Sequence, residues 1–370
     1  MRPLTLSGSP AGILDMWCRH LLLGVLSAMT LAAAPVELVP ADLRGAVQPQ
    51  VAVEAAGRIH VTFGQGNAVY YTDSADGKKF SAPVKVGELD KLALGMRRGP
   101  RIAVSGGLVL ITAISHSDGK VHAWTSANQG KSWKEGAALN TVDGSAREGL
   151  QGLASNGDGR VVAVWLDLRA GRGQEVWSRQ SRDGGKSWED EMRVYAAPGG
   201  GVCPCCVPNV AISPQGEVAV MWRNDLEGAR DLYVAVRKGD KPFAEAKKLG
   251  TGTWNFKGCP MDGGSLVFSP EGKWLAVWRR EKGVFASFLG TEEMPLSEDA
   301  SQPVASSVGE VPVILWESGD ALMMKRGKGE PERFAEGGKA ASVARGKDGA
   351  CVVWEGKTGE GKTLLFERVK

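Results

Sequence analysis

Long basic runs, helical periodicity and tyrosine are all scarce in this sequence. The 370 residues carry a net charge of only +3, and no long run of lysine and arginine occurs. That charge pattern argues against a nucleic-acid-binding protein and leaves only local arginine patches. No stretch has the apolar spacing of an amphipathic helix, which argues against a helical fold. With 4 tyrosines against 12 tryptophans and 50 glycines, the sequence favours many tight turns, each held by a buried indole.

The first 34 residues differ from the rest of the chain. An apolar run over residues 21–34 follows a basic pair and ends in small residues before a proline. This is the pattern of a secretory signal peptide, residues 1–34, with an Ala-x-Ala cleavage site at its end. We therefore expect residues 35–370 to form a periplasmic or secreted protein, with no membrane insertion after cleavage. The true start is either Met1 or Met16, and a retained membrane anchor is the alternative.

Short strand patterns alternate with turns along the rest of the chain. In five of seven units the second, more apolar strand carries a tryptophan at the same place: Trp165, Trp222, Trp278, Trp316 and Trp354. Groups of four antiparallel strands, repeated about every 38 to 57 residues, are typical of a β-propeller. We predict an all-β fold with seven blades of four antiparallel strands, six blades being the alternative. The last unit lacks a fourth strand, which residues 36–39 are predicted to supply, closing the ring.

Two copies of one turn sequence each follow a predicted third strand. They run from Ser181 to Trp188 and from Ser126 to Trp133. In such a turn the Asp or Asn and Ser side chains hydrogen-bond the local backbone, glycine accepts a positive φ, and the indole packs beneath. Two copies this similar indicate a repeat protein.

This Ser-x-Asp-x-Gly-x-Ser-Trp turn resembles the Asp box of the sialidase-like, or BNR-repeat, β-propeller superfamily. Residues 73–80 are a degenerate third copy and residues 238–243 a weaker fourth. The resemblance implies that the box is structural and that substrate binds on the opposite face of the ring. The Cys-Pro-Cys-Cys run at residues 203–206, together with residues 254–264, looks like a bacterial exported subgroup of these propellers.

Arginines and carboxylates concentrate in the loops predicted for that opposite face, which connect blades or join second to third strands. An arginine fork donates two parallel hydrogen bonds, so it suits a planar carboxylate. The resemblance implies three arginines around a substrate carboxylate. The candidate substrate-binding residues are Arg98, Arg101, Arg169, Arg223, Arg230, Arg279 and Asp262. The alternative is that each arginine is solvated or pairs with a nearby Asp or Glu.

Whether the protein is an enzyme stays open. The resemblance implies a tyrosine nucleophile assisted by a carboxylate, with a separate acid/base aspartate. No such nucleophile can be identified, because all the tyrosines fall within predicted strands: Tyr70, Tyr71, Tyr195 and Tyr233. The candidate acid and base are Asp167 and Glu281. If the protein is an enzyme, we expect an exo-alpha-sialidase-like glycoside hydrolase.

Four cysteines are the most distinctive feature of these loops. Cys203, Cys205 and Cys206 precede one blade and Cys259 precedes the next, so the four are expected to lie side by side. In an exported protein they most simply form disulfides that join the two blades, at least one of them reaching Cys259. A copper or zinc site is the alternative, because thiolates select soft ions. Cys351 falls within a strand and is expected to be a buried free thiol.

Three functions fit these observations. The first is binding, with or without hydrolysis, of acidic glycans on the face opposite the Asp boxes. The second is a non-catalytic propeller that binds protein or glycan, and the third is a metal-linked or redox-linked propeller that uses its cysteines. We expect a monomer with a carbohydrate or protein ligand and no nucleic-acid partner. No cofactor is required unless copper or zinc binds at the cysteines.

Overall fold

Seven antiparallel sheets make up the described part of the chain, each forming one blade of a β-propeller. The computed structural model describes residues 34–198, 201–269 and 272–370, so all but the last residue of the predicted signal peptide lies outside it. The prediction of seven blades is confirmed, and the six-blade alternative is wrong. No helix in the described ranges is long and apolar enough to cross a membrane.

The strands follow one another in chain order, with short turns between them. The chain begins with β1 (Val36–Glu37) and a 3₁₀ helix (Ala41–Leu43). Blade 1 contains β2 (Val47–Val53), β3 (Ile59–Gln65), β4 (Ala68–Ser74) and β5 (Val84–Glu88). Blade 2 contains β6 (Arg101–Ser105), β7 (Leu108–Ile114), β8 (Val121–Ser126) and β9 (Lys134–Glu135). Blade 3 contains β10 (Gln151–Ser155), β11 (Val161–Asp167), β12 (Glu175–Ser181) and β13 (Met192–Ala196).

The second half of the ring repeats this order. Blade 4 contains β14 (Gly201–Val202), β15 (Asn209–Ile212), β16 (Val218–Asp225), β17 (Leu232–Arg237) and β18 (Lys247–Lys248). Blade 5 contains β19 (Gly264–Phe268), β20 (Trp274–Arg280), β21 (Gly283–Phe288) and β22 (Met294–Ser297). Blade 6 contains β23 (Ser301–Val308), β24 (Val311–Ser318), β25 (Ala321–Arg326) and β26 (Glu332–Glu336). Blade 7 contains β27 (Lys339–Gly346), β28 (Gly349–Thr358) and β29 (Gly361–Val369).

The N-terminal strand completes the last blade. In blade 7 the strand order is β1-β29-β28-β27, and Val36 pairs with Phe366 in antiparallel register. Leu38 N also donates to Leu364 O at 2.9 Å. Closure by the N-terminal strand, as predicted, therefore joins the two ends of the ring and covers an edge that would otherwise be open.

The five repeated tryptophans lie between neighbouring blades. Each is at most 2% exposed and sits on the second strand of its blade. Trp165, for example, packs with Leu110 and Ile114 of the preceding blade. Burying an indole removes about 150–250 Å² from water, which contributes about 4–6 kcal/mol at 25 cal/mol per Å². The repeated position thus marks where one blade is joined to the next.

The two full turn motifs connect third to fourth strands and satisfy their own polar groups. In the turn between β12 and β13, Gly185 N donates to Ser181 Oγ at 2.8 Å, and Ser187 N donates to Asp183 Oδ1 at 2.9 Å. The turn between β8 and β9 repeats this arrangement around Ser126 and Asn128. Because these turns lie at one end of the strands, the blade-connecting loops lie at the other end.

Candidate functional site

The loops opposite the turns surround one mouth of the central channel. The first strands of the blades line this channel, and a cavity of about 130 Å³ lies at its loop end. Polar side chains from several blades face this cavity: Gln50, Arg97, Arg101, Gln151, Asn209, Asp262, Ser265 and Ser342. Of the predicted site residues, Arg101 and Asp262 line this cavity, whereas Asp167 and Arg169 contact each other within blade 3.

Cys203, Cys205 and Cys206, here called the thiol cluster, lie on the loop between β14 and β15. Cys203 Sγ lies 3.6 Å from Cys205 Sγ and 3.4 Å from Cys206 Sγ. All three sulfur atoms lie within 4.8 Å of one another. The three residues are 0%, 8% and 1% exposed, respectively. A short loop therefore gathers three buried sulfur donors.

Backbone hydrogen bonds to two blades hold the start of this loop. Val202 N donates to Gln174 O of blade 3 at 3.0 Å, and Cys203 N donates to Arg223 O of β16 at 2.9 Å. The sulfur positions therefore depend on the packing of blade 3 against blade 4, because a shift of either blade would move the loop.

The predicted disulfides are not present among the described residues. All five described cysteines are free, including Cys351, which is fully buried in β28 as expected. The sulfur separations of 3.4 and 3.6 Å around Cys203 are hydrogen-bonding distances, far beyond the roughly 2.05 Å of a disulfide bond. The cluster is therefore a set of thiols in this structure.

Two of the three sulfurs, those of Cys203 and Cys206, have pKa values shifted in opposite directions. Hydrogen bonds with Cys205 and Cys206 hold the pKa of Cys203 well below its usual range. Burial raises the pKa of Cys206 well above its usual range, with its cluster neighbours adding to the effect. The lowered pKa favours the thiolate form of Cys203, and a thiolate is the form that binds a metal.

A fourth thiol approaches the cluster from the next blade. Cys259 lies on the loop between β18 and β19 and is exposed to solvent. A hydrogen bond with Cys205 raises the pKa of the Cys259 thiol. The structure therefore places the β14–β15 loop of blade 4 next to the loop that precedes blade 5.

Arg223 uses its guanidinium to hold these loops together. The side chain is buried, and it donates to the backbone oxygens of Asp262 at 3.2 Å, Arg279 at 2.9 Å and Arg230. Each of its three nitrogens has a backbone acceptor. Arg223 therefore connects blade 4 to blade 5 through backbone hydrogen bonds. Among the described residues, no carboxylate lies within hydrogen-bonding distance of its guanidinium.

Arg101 has a similar role at the channel. Its buried guanidinium donates to Gln151 O at 3.2 Å and to Gly99 O and Pro100 O at 3.1 Å. Its neighbour Arg97, which the sequence interpretation missed, donates to Gln302 Oε1 at 2.6 Å and Ala341 O at 3.1 Å. The only signal for Arg97 was a second arginine in the same loop as Arg98, because its partners lie more than 200 residues away.

Three other arginines of this face, Arg98, Arg230 and Arg279, use only some of their N–H groups in hydrogen bonds or ion pairs. Arg98 Nε donates to Glu148 O at 2.6 Å. Arg230 pairs with Asp225 at 2.8 Å, and Arg279 Nε donates to Glu281 O at 2.7 Å. Arg279 also lies 3.8 Å from a buried carboxylate oxygen of Asp262. Arg223, Arg279 and Asp262 are therefore brought together, whereas Arg98 contacts the loop before blade 3.

Asp262 belongs to a set of acids that cap strained backbone at the inner rim. Three non-glycine residues just before or at the start of inner strands have positive φ: Gln48, Gln302 and Ala340. Each donates its backbone N–H to an acid: Glu355 at 2.8 Å, Asp262 at 2.7 Å and Glu317 at 2.9 Å, respectively. Burial raises the pKa of Asp262, and its Oδ1 has no hydrogen-bond partner among the residues that the structure describes. The hydrogen bond from Gln302 N therefore gives Oδ2 of Asp262 a structural role, and Oδ1 takes no part in it.

Asp167 lies inside blade 3, in an ion-pair network. The residue is fully buried, and its carboxylate accepts hydrogen bonds from Ser145 Oγ, Trp165 Nε1 and Arg169 at 2.7–2.9 Å. Arg169 also pairs with Glu191 at 2.7 Å. Burial opposes ionisation of Asp167, but these hydrogen bonds outweigh it and lower the pKa of the carboxyl group. Asp167 and Arg169 therefore neutralise each other.

Glu281, the other candidate acid/base, lies on the turn between β20 and β21 of blade 5. It is exposed, its φ is 57°, and its backbone oxygen accepts the hydrogen bond from Arg279. No contact joins it to Asp167 in the described parts of the chain. The two candidate carboxylates thus belong to separate environments, one buried and one solvated.

An aromatic pair lies beside the arginines and cysteines of this face. Trp254 and Phe256 stack with ring centroids 5.1 Å apart and an interplanar angle of 20°. The guanidinium carbons of Arg223 and Arg279 lie 5.2 and 5.4 Å from the Trp254 ring centroid. Phe256 is 38% exposed. The pair therefore continues from a buried indole to an exposed phenyl ring.

Comparison with known proteins adds information on the fold. No protein-family profile and no curated protein matches the sequence. An α-L-arabinanase of Penicillium chrysogenum complexed with arabinobiose is 14% identical, with a TM-score of 0.52, over 91% of this chain and 99% of that one. A virginiamycin B lyase of Staphylococcus aureus is 11% identical, with a TM-score of 0.54, over 91% and 99% of the two chains.

A GH93 α-L-arabinofuranosidase of Fusarium graminearum, also with arabinobiose, gives a similar match. It is 13% identical, with a TM-score of 0.51, over 91% of this chain and 98% of that one. At identities this low, such likeness is informative about architecture and not about chemistry. The chain is similar to these proteins in its β-propeller fold.

Proposed function

We propose that the protein is an exported propeller that binds one soft metal ion, Cu(I), at the thiol cluster. The observation that carries this proposal is the convergence of three free sulfur atoms within 4.8 Å on a single loop. Thiolates select soft ions such as Cu(I) and Zn(II) over hard ions such as Mg(II) and Ca(II). Export, predicted from residues 1–34, is part of the proposal.

The number of buried donors favours Cu(I) over Zn(II). Structural zinc is almost always held by four ligands in a tetrahedron. The thiol cluster offers three buried sulfurs, and the fourth cysteine, Cys259, is exposed and lies outside the group of three. Cu(I) accepts lower coordination numbers, so three thiolates satisfy it without Cys259.

Nearby positive charge supports a site of this kind. Three thiolates around Cu(I) would leave an excess of negative charge in a buried place, which is unfavourable unless it is offset. Arg230 contributes to lowering the pKa of Cys203, and Arg223 opposes the rise in the pKa of Cys206. Both guanidinium groups therefore act on the cluster electrostatically.

A metal titration of the reduced wild-type protein tests the proposal. Cu(I) supplied as its bicinchoninate complex should be taken up to one equivalent per chain, and Zn(II) should bind at least about tenfold more weakly. Stoichiometry is measured by the loss of the bicinchoninate colour and by metal analysis after desalting. Uptake of no Cu(I) by the reduced protein would reject the proposal, as would a Zn(II) affinity equal to or above that for Cu(I).

Glycan binding is a second candidate, favoured by the exposed ring of Phe256. Sugar rings stack on aromatic faces, and Arg230 Nε donates to the backbone oxygen of Phe256 at 3.3 Å, so a guanidinium contacts the same residue. The two arabinan-degrading enzymes with this fold are complexed with arabinobiose. The free donors of Arg279 support acidic sugars. Glycan binding without hydrolysis is better supported than glycan hydrolysis, because the candidate catalytic residue Asp167 is buried and ion-paired.

Substitution of Phe256 tests this second candidate. The F256A variant should bind acidic oligosaccharides about fivefold more weakly than wild type, because it loses a stacking contact of about 1 kcal/mol. The measurement is a glycan microarray followed by calorimetry of any oligosaccharide that binds. V142A is the matched control, since Val142 is 39% exposed on another blade-connecting loop. Equal binding by wild type and F256A would contradict the idea.

A further inference from the structure

Two arginine side chains at the channel mouth lack a carboxylate partner. Arg101 is 8% exposed and Arg97 is half-buried. Among the described residues neither forms an ion pair, and their hydrogen bonds go to backbone oxygens and to the amide oxygen of Gln302. A buried charge is unfavourable unless an opposite charge offsets it. The two guanidinium groups therefore leave positive charge at the cavity that nothing in direct contact neutralises.

The acid–base behaviour of the two arginines agrees with this imbalance. Burial, together with the nearby charge of Arg97, lowers the pKa of Arg101 to about 9. Burial also lowers the pKa of Arg97. Three carboxylates of the inner rim oppose that shift without cancelling it: Glu317, Asp262 and Glu355. Each of these carboxylates already accepts a backbone N–H, so added negative charge in the cavity remains favourable.

The cavity of about 130 Å³ beside these arginines is also lined by unused hydrogen-bond donors. Asn209 Oδ1 accepts from Leu266 N at 3.0 Å, which fixes the amide orientation and leaves Nδ2 without an acceptor among the described residues. The hydroxyl of Ser265 accepts from Ala305 N at 3.1 Å and donates to no described residue. A guanidinium has five N–H groups, of which Arg97 uses three.

Two acceptor atoms on lining residues also lack partners in the described parts of the chain, namely Asp262 Oδ1 and Gln151 Oε1. Both atoms are inaccessible to water, so neither of them faces the cavity. The carboxylate of Asp262 instead lies 3.8 Å from Arg279 and accepts Gln302 N at 2.7 Å. The side chains that remain able to contact a molecule in the cavity are therefore rich in donors, and two of them are cationic.

We infer that this cavity binds one small inorganic anion, of the class of chloride or nitrate, between Arg97, Arg101 and Asn209. A water molecule needs about 10–15 Å³ of such space, so the cavity has room for a small anion with a few waters. Pockets for organic ligands usually have about 300–1,000 Å³, so a sugar does not fit. The site is therefore distinct from the glycan contact proposed at Phe256, and it does not depend on the thiol cluster.

A bound anion would also strengthen the ring. Arg97 lies on the loop before blade 2, and its acceptors on Gln302 and Ala341 belong to blades 6 and 7. Asn209 lies on β15 of blade 4. An anion held by these side chains therefore connects separate blades across the channel, and it should stabilise the folded state over the unfolded chain.

Thermal unfolding in increasing nitrate tests the site. Metal-free protein is heated in 0–100 mM sodium nitrate, and ionic strength is held constant with the sodium salt of morpholinoethanesulfonate, an anion too large for the cavity. For a dissociation constant of about 1 mM, the wild-type midpoint should rise by about 4 °C and approach saturation. R97Q should need about tenfold more nitrate for the same rise, because it loses a charge-assisted hydrogen bond.

The decisive variant is N209D. Aspartate keeps an acceptor for Leu266 N but replaces the Nδ2 donor with a charged oxygen, so the midpoint should not respond to nitrate. N67D is the matched control, because Asn67 is exposed on the turn between β3 and β4, and it should respond as wild type does. A general effect of salt on the protein surface would raise the midpoints of wild type, N209D and N67D equally, which would overturn the inference.

Crystals grown in sodium bromide locate the ion directly. Anomalous difference density should show one bromide inside the cavity of wild type and none there in N209D. Bromide bound only outside the cavity would contradict the proposed site, and so would a wild-type midpoint without a saturable response to nitrate. Wild-type nitrate dependence in R97Q would show that the guanidinium does not hold the anion, which also rejects the site as proposed. Circular dichroism confirms that each variant is folded.

Discussion

Replacing both Cys203 and Cys206 by serine is expected to weaken Cu(I) binding by about ten-thousandfold. Tetrahedral thiolate-rich sites bind zinc with about 10–16 kcal/mol, which is roughly 3 kcal/mol per ligand. Loss of two ligands then removes about 6 kcal/mol, and each 1.4 kcal/mol is a factor of ten. Competition with bicinchoninate measures the change. Both side chains are buried, so no solvent-exposed group replaces the missing sulfurs.

The control for this double variant is C351S. Cys351 is also fully buried and free, but it lies on β28 of blade 7, away from the loop face. Removing its sulfur should leave the Cu(I) affinity unchanged within a factor of about two. Retention of Cu(I) affinity within tenfold of wild type by the double serine variant would contradict the three-thiolate site.

Replacing Arg223 by alanine is expected to lower the free energy of unfolding by about 5 kcal/mol. The substitution leaves three backbone oxygens without their donor: that of residue 262 in a buried hydrogen bond and those of residues 230 and 279 in partly buried ones. Each unsatisfied buried group is unfavourable by about 1–3 kcal/mol. Lysine at this position keeps the charge but not the planar fork, so R223K should recover only about a third of the loss. Urea unfolding, followed by tryptophan fluorescence, measures these changes.

The comparison with Arg279 distinguishes a structural from a ligand-binding role. Arg279 donates one hydrogen bond to a backbone oxygen, that of Glu281, and its side chain is 25% exposed. R279A should therefore lose only about 1 kcal/mol of stability. If R223A proved as stable as R279A and instead lost binding of an acidic ligand, Arg223 would be a carboxylate-binding residue, as the sequence interpretation first suggested.

Hydrogen-bond partners explain why the arginine prediction was incomplete. The sequence places Arg98, Arg101, Arg223 and Arg279 on loops that meet at one mouth, and an arginine fork is equally suited to a ligand carboxylate or to backbone oxygens. Which of these it binds depends on oxygens far away in sequence. Arg223 and its acceptor on Arg279 are 56 residues apart, and Arg97 and its acceptor on Ala341 are 244 residues apart.

The cysteines show the same division at shorter range. Repeat length places Cys203–Cys206 and Cys259 before consecutive blades, and the structure brings Cys259 against Cys205. Whether sulfur atoms bond to each other is decided within about 1.5 Å, the difference between contact and covalent distance. Spacing along a chain cannot resolve so small a difference, so the sequence favoured disulfides and left a metal site as the alternative.

The sequence by itself determined the β-propeller fold, favoured seven blades over six and indicated the strand that closes the ring. Those features follow from local patterns, since a turn such as Ser181 to Trp188 satisfies its own polar groups and each repeated tryptophan fills the same place between blades. Only the tertiary structure decided that Arg223 and Asp167 serve the scaffold and that the thiols of the cluster are free. Those outcomes depend on directed contacts between distant parts of the chain, which are fixed only when the ring has closed.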